Sequence, residues 1–486
     1  MSRKRFTGLV VILILSAQAL FTVTPVQAAA ITVTSKLDTP DPGKCRLRDA
    51  ITATNTNTAT GDCPAGSAGQ DTIGFSLGTQ CNLVPCTITL TSALPIVTED
   101  LTINGNNTTV SGANAFRVFD LGVVTVSISN LGIANGNTAG NGGAINMSDG
   151  ISTQGTTLNL THVFFSNNHA DFGGAIYEPR GTLTIDHSNF SGNTAVTGGG
   201  AIGEERNGSK LTVVNLIFNN NTAVGSGGAM ALLSDATISD SSFTGNSGEF
   251  GGAISILLGD LKLIDSVFNN NVATIGGGAI NISVNGGTAT LTNVTLSGNA
   301  AKNNGGGIDA NRGTLNLNNM TITNNTADND FDGAGDGGGI FRGNATVQIQ
   351  NSIIAGNFDT PGNAGGGTKN PDCSGTFSSQ GYNLIGRNDG CGGFVNGTNG
   401  DKVGSGASPI DPLLAALANN GGPTQTHALL PGSPAINAGN PLAPGSGGFA
   451  CVSTDQRNIA RPQGSACDIG AFEFEFRSLY LPLISR

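Results

Sequence analysis

Between Asn130 and Asn357 the chain repeats one phrase, and no other feature restricts its fold so tightly. Gly-Gly-Ala-Ile or a close variant ends at Ile145, Ile176, Ile202, Met230, Ile254, Ile280, Ile308 and Ile340, at steps of 24 to 32 residues. A short alternating apolar run follows each copy. Then comes an aromatic or aliphatic residue with Asn three positions on: Phe165/Asn168, Phe190/Asn193, Phe218/Asn221, Phe243/Asn246, Phe268/Asn271, Leu296/Asn299, Ile322/Asn325 and Ile354/Asn357. Self-similarity at such a period signals stacked units, none of which can bury its apolar face alone. In the copy that starts at Gly251, three short runs are bounded by Gly, Asn, Asp and Ser: Gly-Gly-Ala-Ile-Ser-Ile, Leu261-Lys-Leu263 and Val267-Phe268. They are too short for helices and alternate with period two. They predict three strands per coil of an all-β, right-handed parallel β-helix, the hand following from the crossover rule. With strands about 4.8 Å apart from coil to coil, these copies build a rod about 40 Å long.

Stacking turns the repeats into columns. Phe165, Phe190, Phe218, Phe243 and Phe268 share one and are expected to stack inside. The Asn three residues later forms a second, suited to left-handed turns and to ladders of identical amides. A third lies three residues before the Phe position, with Asn130, His162, His187, Asn215, Asp240, Asp265, Asn293, Asn319 and Asn351, all short polar or imidazole groups. His162 and His187 therefore belong to a structural column rather than to a catalytic pair.

Only 11% of the residues are charged, Trp is absent and Gly numbers 74, a composition that suits a β-solenoid better than a helical enzyme. Residues 1–28 have the form of a secretory signal: Arg3, Lys4 and Arg5, then an apolar segment, then Val26-Gln27-Ala28. Cleavage near Ala28 would remove three basic residues and change the net charge from −11 to −11 − 3 = −14. An acidic rod is a poor partner for nucleic acid. Eight Cys fit an oxidising compartment, and neighbour pairing gives Cys45–Cys63, Cys81–Cys86, Cys373–Cys391 and Cys451–Cys467 among 105 arithmetic alternatives.

Family resemblances follow from particular stretches. Cys45-Arg-Leu-Arg-Asp-Ala-Ile51 resembles the CSLREA domain of bacterial surface proteins, with Arg46 for Ser and Asp49 for Glu. The GGAI and FxxN phrases resemble the repeats of polymorphic outer-membrane proteins, which implies a surface-exposed β-helix with adhesin-like use. Gly381-Tyr-Asn-Leu-Ile385, Asn420-Gly-Gly-Pro-Thr424, Asp455-Gln-Arg457, and Arg461-Pro462 through Glu473 resemble a choice-of-anchor Q domain. The expected organisation is a signal peptide at 1–28, a CSLREA-like cap at 29–87, coils over 88–357, a choice-of-anchor Q-like region at 358–475 and a tail at 476–486.

Two clusters carry the candidate chemistry. Glu178, Arg180, Glu204, Glu205 and Arg206 fall in turns between the first and second strands of successive coils, with Asp309, Arg312 and Arg342 in later ones. Stacked on one edge, such groups could bind sugar, hold Ca²⁺ or serve as acid and base. Solvated turns are the competing reading, and no Asp-Asp pair or Gly-His-Gly supports a pectinase. Asp328, Asp330, Asp332 and nearby Asp336 surround a Gly in the longest insertion, an arrangement that can wrap calcium, although the Glu of an EF-hand loop is absent. The expected function is an exported surface or extracellular rod, monomeric and non-enzymatic, needing no cofactor beyond a calcium ion and binding an extracellular polysaccharide or a cell-surface partner. The alternative is a polysaccharide lyase or glycosidase.

Overall fold

Most coils between Ile145 and Asp359 have four strands, one more than their sequence displays. In the coil that begins at Gly251 they are Ile254–Ile256, Leu261–Ile264, Val267–Asn269 and Val272–Gly276. All run parallel to their counterparts in the coils on either side. Ile254 lies between Met230 and Ile280, Leu263 between Ile238 and Leu291, and Phe268 between Phe243 and Leu296. The fourth strand escapes the periodicity because several copies hold only two residues, as at Thr222–Ala223 and Ala300–Ala301. This computed structural model of the parallel β-helix describes residues 28–82, 84–148, 155–205, 208–360 and 369–475. The expected leader up to Gln27, Arg206 and the tail at 476–486 lie outside the described residues.

The stack crosses both expected domain boundaries. Ala30–Val33 already pairs in parallel with Asp71–Phe75, which pairs with Leu101–Ser111. At the other end Leu384–Ile385 pairs with Lys402–Val403. Between the first two rungs the chain forms helix α1, Leu47–Thr56, with Leu47, Ala50, Ile51 and Ala53 buried. The helix closes the open end of the coil interior. Arg48 holds it to the solenoid by a bidentate pair with Asp38, which also accepts from Thr91. The four disulfides join Cys45–Cys63, Cys81–Cys86, Cys373–Cys391 and Cys451–Cys467, the neighbour pairing.

Inside, the five Phe rings stack with centroids 4.6, 5.0, 4.7 and 4.5 Å apart and planes within 11° of parallel. The Asn of the FxxN phrase is wholly buried and forms a continuous amide ladder. Asn246 shows the unit: its Nδ2 donates to the Phe218 carbonyl and to Asn271 Oδ1, while its Oδ1 accepts the backbone N–H and Nδ2 of Asn221. The ladder runs from Asn168 to Asn357 and ends on Asp372, whose Oδ1 accepts both donors of Asn357. An acid suits that last position because it only has to accept. The left-handed turns expected at the ladder Asn fall elsewhere. One set lies a residue earlier, at Asn167, Gly192, Asn220 and Gly245. The other is the His162/His187/Asn215/Asp240/Asp265 column, with φ between 46° and 55°. Short polar side chains tolerate that conformation, which β-branched residues resist.

The C-terminal segment after the last rung turns back along the outside of the stack. It covers the third strands and the left-handed corner of the later coils. His427 Nε2 meets Ser297 Oγ at 2.9 Å, Gln456 Oε1 accepts from Thr295 Oγ1 at 2.6 Å, and the Gly470 N–H donates to the Asn351 carbonyl. Its own centre is a buried ionic network. Arg457 pairs with Asp455 at 2.7 Å and lies 3.6 Å from the centroid of the Phe472 ring. Arg461 pairs with Glu473 at 3.0 Å and donates to the carbonyls of Asp468 and Gly470.

Candidate functional site

The structure separates the residues that the sequence had grouped in one charged turn. Along the first strand Ile176 points inward, Tyr177 outward and Glu178 inward, and Ile202, Gly203 and Glu204 repeat this in the next coil. The third position of that strand is otherwise core: Met147 before the pair, Leu232, Ile256 and Ile282 after it. Glu178 and Glu204 are therefore 0% exposed, inside the coil, and not on an exposed edge as expected. Period-two counting from the inward Ile was the available signal. Burial, and then the neighbouring Glu204 carboxylate, pushes Glu178 well above the usual carboxylate range. Burial pushes Glu204 up to about 7. Glu205 is exposed and Arg180 half-buried, so neither joins the pair in one accessible site. Asp309 turns onto the covered outer face of its strand, where burial raises it to about 6.

In the acidic insertion, carboxylate oxygens of Asp328, Asp330 and Asp332 lie within 4.8 Å of one another. Asp328 is buried and accepts the N–H groups of Asp332 and Gly333, which closes the loop. Asp336 stands apart from this trio; its Oδ1 accepts from Asn370 Nδ2 at 2.7 Å. Lys302 approaches Asp330 at 3.8 Å from the preceding coil.

The outer face of the second strands is accessible over many coils, and sequence reasoning named no residue on it. One outward position reads Asn159, Thr184, Thr212, Thr237, Lys262, Thr290, Asn316 and Gln348 from coil to coil. Alternation places these side chains outward because their neighbours Leu183, Leu211, Leu263 and Leu291 fill the core. A groove of about 530 Å³ lies on this face over its middle coils, with Thr237 and Lys262 in its lining, and a second of about 380 Å³ lies toward the C-terminal end. Thr288, Thr290, Thr292, Asn316 and Gln348 line the second, with Phe449 of the returning segment as one wall. Three hydrogen bonds hold that wall: Asn318 to the Ala450 carbonyl, Gln350 to Gly448 and Asn351 to Phe449. The Phe449 ring remains 48% exposed. A further cleft, of about 470 Å³, lies over the earlier coils, with Asp100, Thr157, Arg180 and Thr182 in its lining.

Two stretches, residues 162–177 and 265–283, match the Chlamydia polymorphic membrane protein repeat. Each match begins at a left-handed corner, His162 or Asp265, and ends in the first strand of the following coil. No curated protein matches the chain. Among solved structures the chain is similar to pectate lyase Pel9A, at 11% identity and a TM-score of 0.32, over 92% of this chain and 97% of that one. The chain thus carries repeats of the polymorphic membrane protein type on a parallel β-helix.

Proposed function

We propose that this chain is an exported, surface-displayed binding rod, adhesin-like and non-enzymatic, whose second-strand face holds an extracellular polysaccharide. The observation that carries this is the groove at Phe449. Neutral hydroxyl and amide groups can exchange hydrogen bonds with sugar hydroxyls without the desolvation cost of burying charge. An exposed aromatic ring beside them offers a flat apolar surface of the kind found in ligand sites. The polymorphic membrane protein repeats and four disulfides support a location outside the cytoplasm. The two end segments, similar to CSLREA and choice-of-anchor Q domains, would serve as cover and as attachment. A lyase or glycosidase built on Glu178 and Glu204 is disfavoured, since both carboxyls are enclosed.

Phe449→Ala should lower affinity for the bound glycan at least tenfold and leave the melting temperature unchanged. Retention of the purified protein on a panel of immobilised polysaccharides measures this, alongside reducing-end release. Equal retention of both proteins on every glycan would remove the groove from consideration. Product formation would replace binding with turnover.

The Asp328–Asp332 loop is, on the same proposal, a calcium site that stiffens the insertion. Carboxylates so close repel one another without a cation, and a hard divalent ion takes oxygen ligands of this kind. A hundredfold excess of calcium over its Kd would stabilise the fold by about 2.7 kcal/mol. The melt of the wild type should shift upward with calcium, and that of Asp330→Asn/Asp332→Asn should not. Superimposable wild-type melts in calcium and in chelator would sink the idea.

A further inference from the structure

Glu178 and Glu204 pose a problem that the binding face does not address. Two acidic side chains occupy adjacent rungs of a column otherwise filled by Met147, Leu232, Ile256 and Ile282. Each is 0% exposed. No well-formed hydrogen bond reaches either oxygen of Glu178, Oε1 of Glu204 or the buried hydroxyl of Ser209, although Ser209 and Glu204 both lie close enough to Glu178 to interact with it. The fourth carboxylate oxygen, Glu204 Oε2, is the exception: it accepts from Ser234 Oγ at 2.8 Å and from the Leu233 N–H at 3.3 Å. Among the described residues no basic group pairs with either acid. Buried polar atoms are nearly always well partnered, and four neighbouring oxygens without a well-formed partner in one corner of the coil are a departure that calls for a ligand.

We propose that Glu178, Glu204 and the Ser209 hydroxyl hold a hard divalent cation of the calcium class, enclosed in the corner between the first and second strands. The donor set is all oxygen, which selects calcium-like or magnesium-like ions over softer metals. One divalent ion neutralises two carboxylates. It also occupies all four of these oxygens, with Glu178 able to bind through both of its own. One proton shared between the acids would leave a net negative charge in the interior, whereas a divalent ion leaves none. The donors on Glu204 Oε2 fit an ionised carboxylate, the form a cation requires. Because the column is closed above and below by apolar side chains, the ion is captured as the coils stack and does not exchange through an open mouth. In this it differs from an ion in the Asp328–Asp332 loop, where Asp330 and Asp332 are exposed.

Enclosure makes the test direct. Purified protein is dialysed exhaustively against chelator, which strips exposed sites, and its metal content is then measured by mass spectrometry. The wild type and Asp330→Asn/Asp332→Asn should each retain one divalent ion per chain. Glu178→Gln/Glu204→Gln should retain none. After unfolding and refolding in chelator, the wild type should melt several degrees lower than after refolding in calcium, and the double Gln variant should show no such difference. A wild type without a retained ion would overturn the proposal and leave the pair protonated. So would a double Gln variant that keeps the ion. If the double variant does not fold, Glu204→Gln alone is read in the same way.

Discussion

Asn246→Ala should cost the rod about 4 kcal/mol and split its unfolding into two transitions. The side chain is wholly buried and makes four hydrogen bonds, two donated and two accepted. Alanine removes the side-chain partners of the Phe218 carbonyl and the Asn221 N–H, and an orphaned buried group costs about 1–3 kcal/mol. The small cavity adds to this. Coils contact only their neighbours, so a weak interface in mid-stack uncouples the two halves. Asn246→Asp should be no milder, because a carboxylate there cannot donate to Phe218; the acid is accommodated only where the ladder ends, at Asp372. Thr237→Ala, on the outer face, is the control and should stay within about 0.5 kcal/mol of the wild type. Denaturant unfolding followed by circular dichroism measures all three. A single transition for Asn246→Ala at the wild-type midpoint would mean that the ladder contributes nothing to cohesion.

Arg461→Met should release the returning C-terminal segment while the coils stay folded. The Arg461 side chain is 0% exposed and Glu473 is 1% exposed, and between them they tie together three turns of the segment. Methionine keeps the volume but leaves Glu473 charged and unpaired in the interior, and breaking a buried pair in this way costs about 3–5 kcal/mol. The carbonyls of Asp468 and Gly470 lose their donor as well. Segment-to-coil contacts combine hydrogen bonds such as His427–Ser297 with a small apolar cluster, in which Ile353 and Leu384 of the coils meet Leu429, Ile469 and Phe472; this cluster lies outside the coil interior, so the loss should fall on docking and not on the stack. Limited proteolysis should cut within 405–475 at least tenfold faster than in the wild type, with the far-ultraviolet dichroism of the β-helix retained. Loss of the whole rod in one step, or unaltered resistance to protease, would each show that the segment is not a separate layer.

Much of the coil was legible because its contacts are periodic. Residues one repeat apart become neighbours, so the Phe column could be read directly from the spacing. The left-handed column from His162 to Asn351 was equally visible, though its backbone conformation was assigned to the wrong Asn. The amide that forms the ladder and the residue that turns the chain are adjacent, and composition does not tell them apart. Glu178 and Glu204 were misplaced for another reason. Charge suggested a solvated turn, while the period-two pattern that begins at Ile176 and Ile202 carries the side chains inward.

The sequence by itself therefore determined the parallel stack and its columns, since both follow from short-range pattern repeated at a fixed step; it left the cysteine connectivity open, and the folded chain selected the neighbour pairing. Tertiary structure alone decided the groove. Phe449 reaches the second-strand face only because the C-terminal segment folds back through contacts such as Thr295–Gln456, 161 residues apart in the chain. Those contacts are made by irregular backbone, single polar side chains and scattered apolar ones such as Leu429 and Phe472, which leave no period in the sequence. The same holds for the oxygens around Glu178: each residue is ordinary in its own coil, and only the stacking of two coils leaves them close together without a well-formed partner.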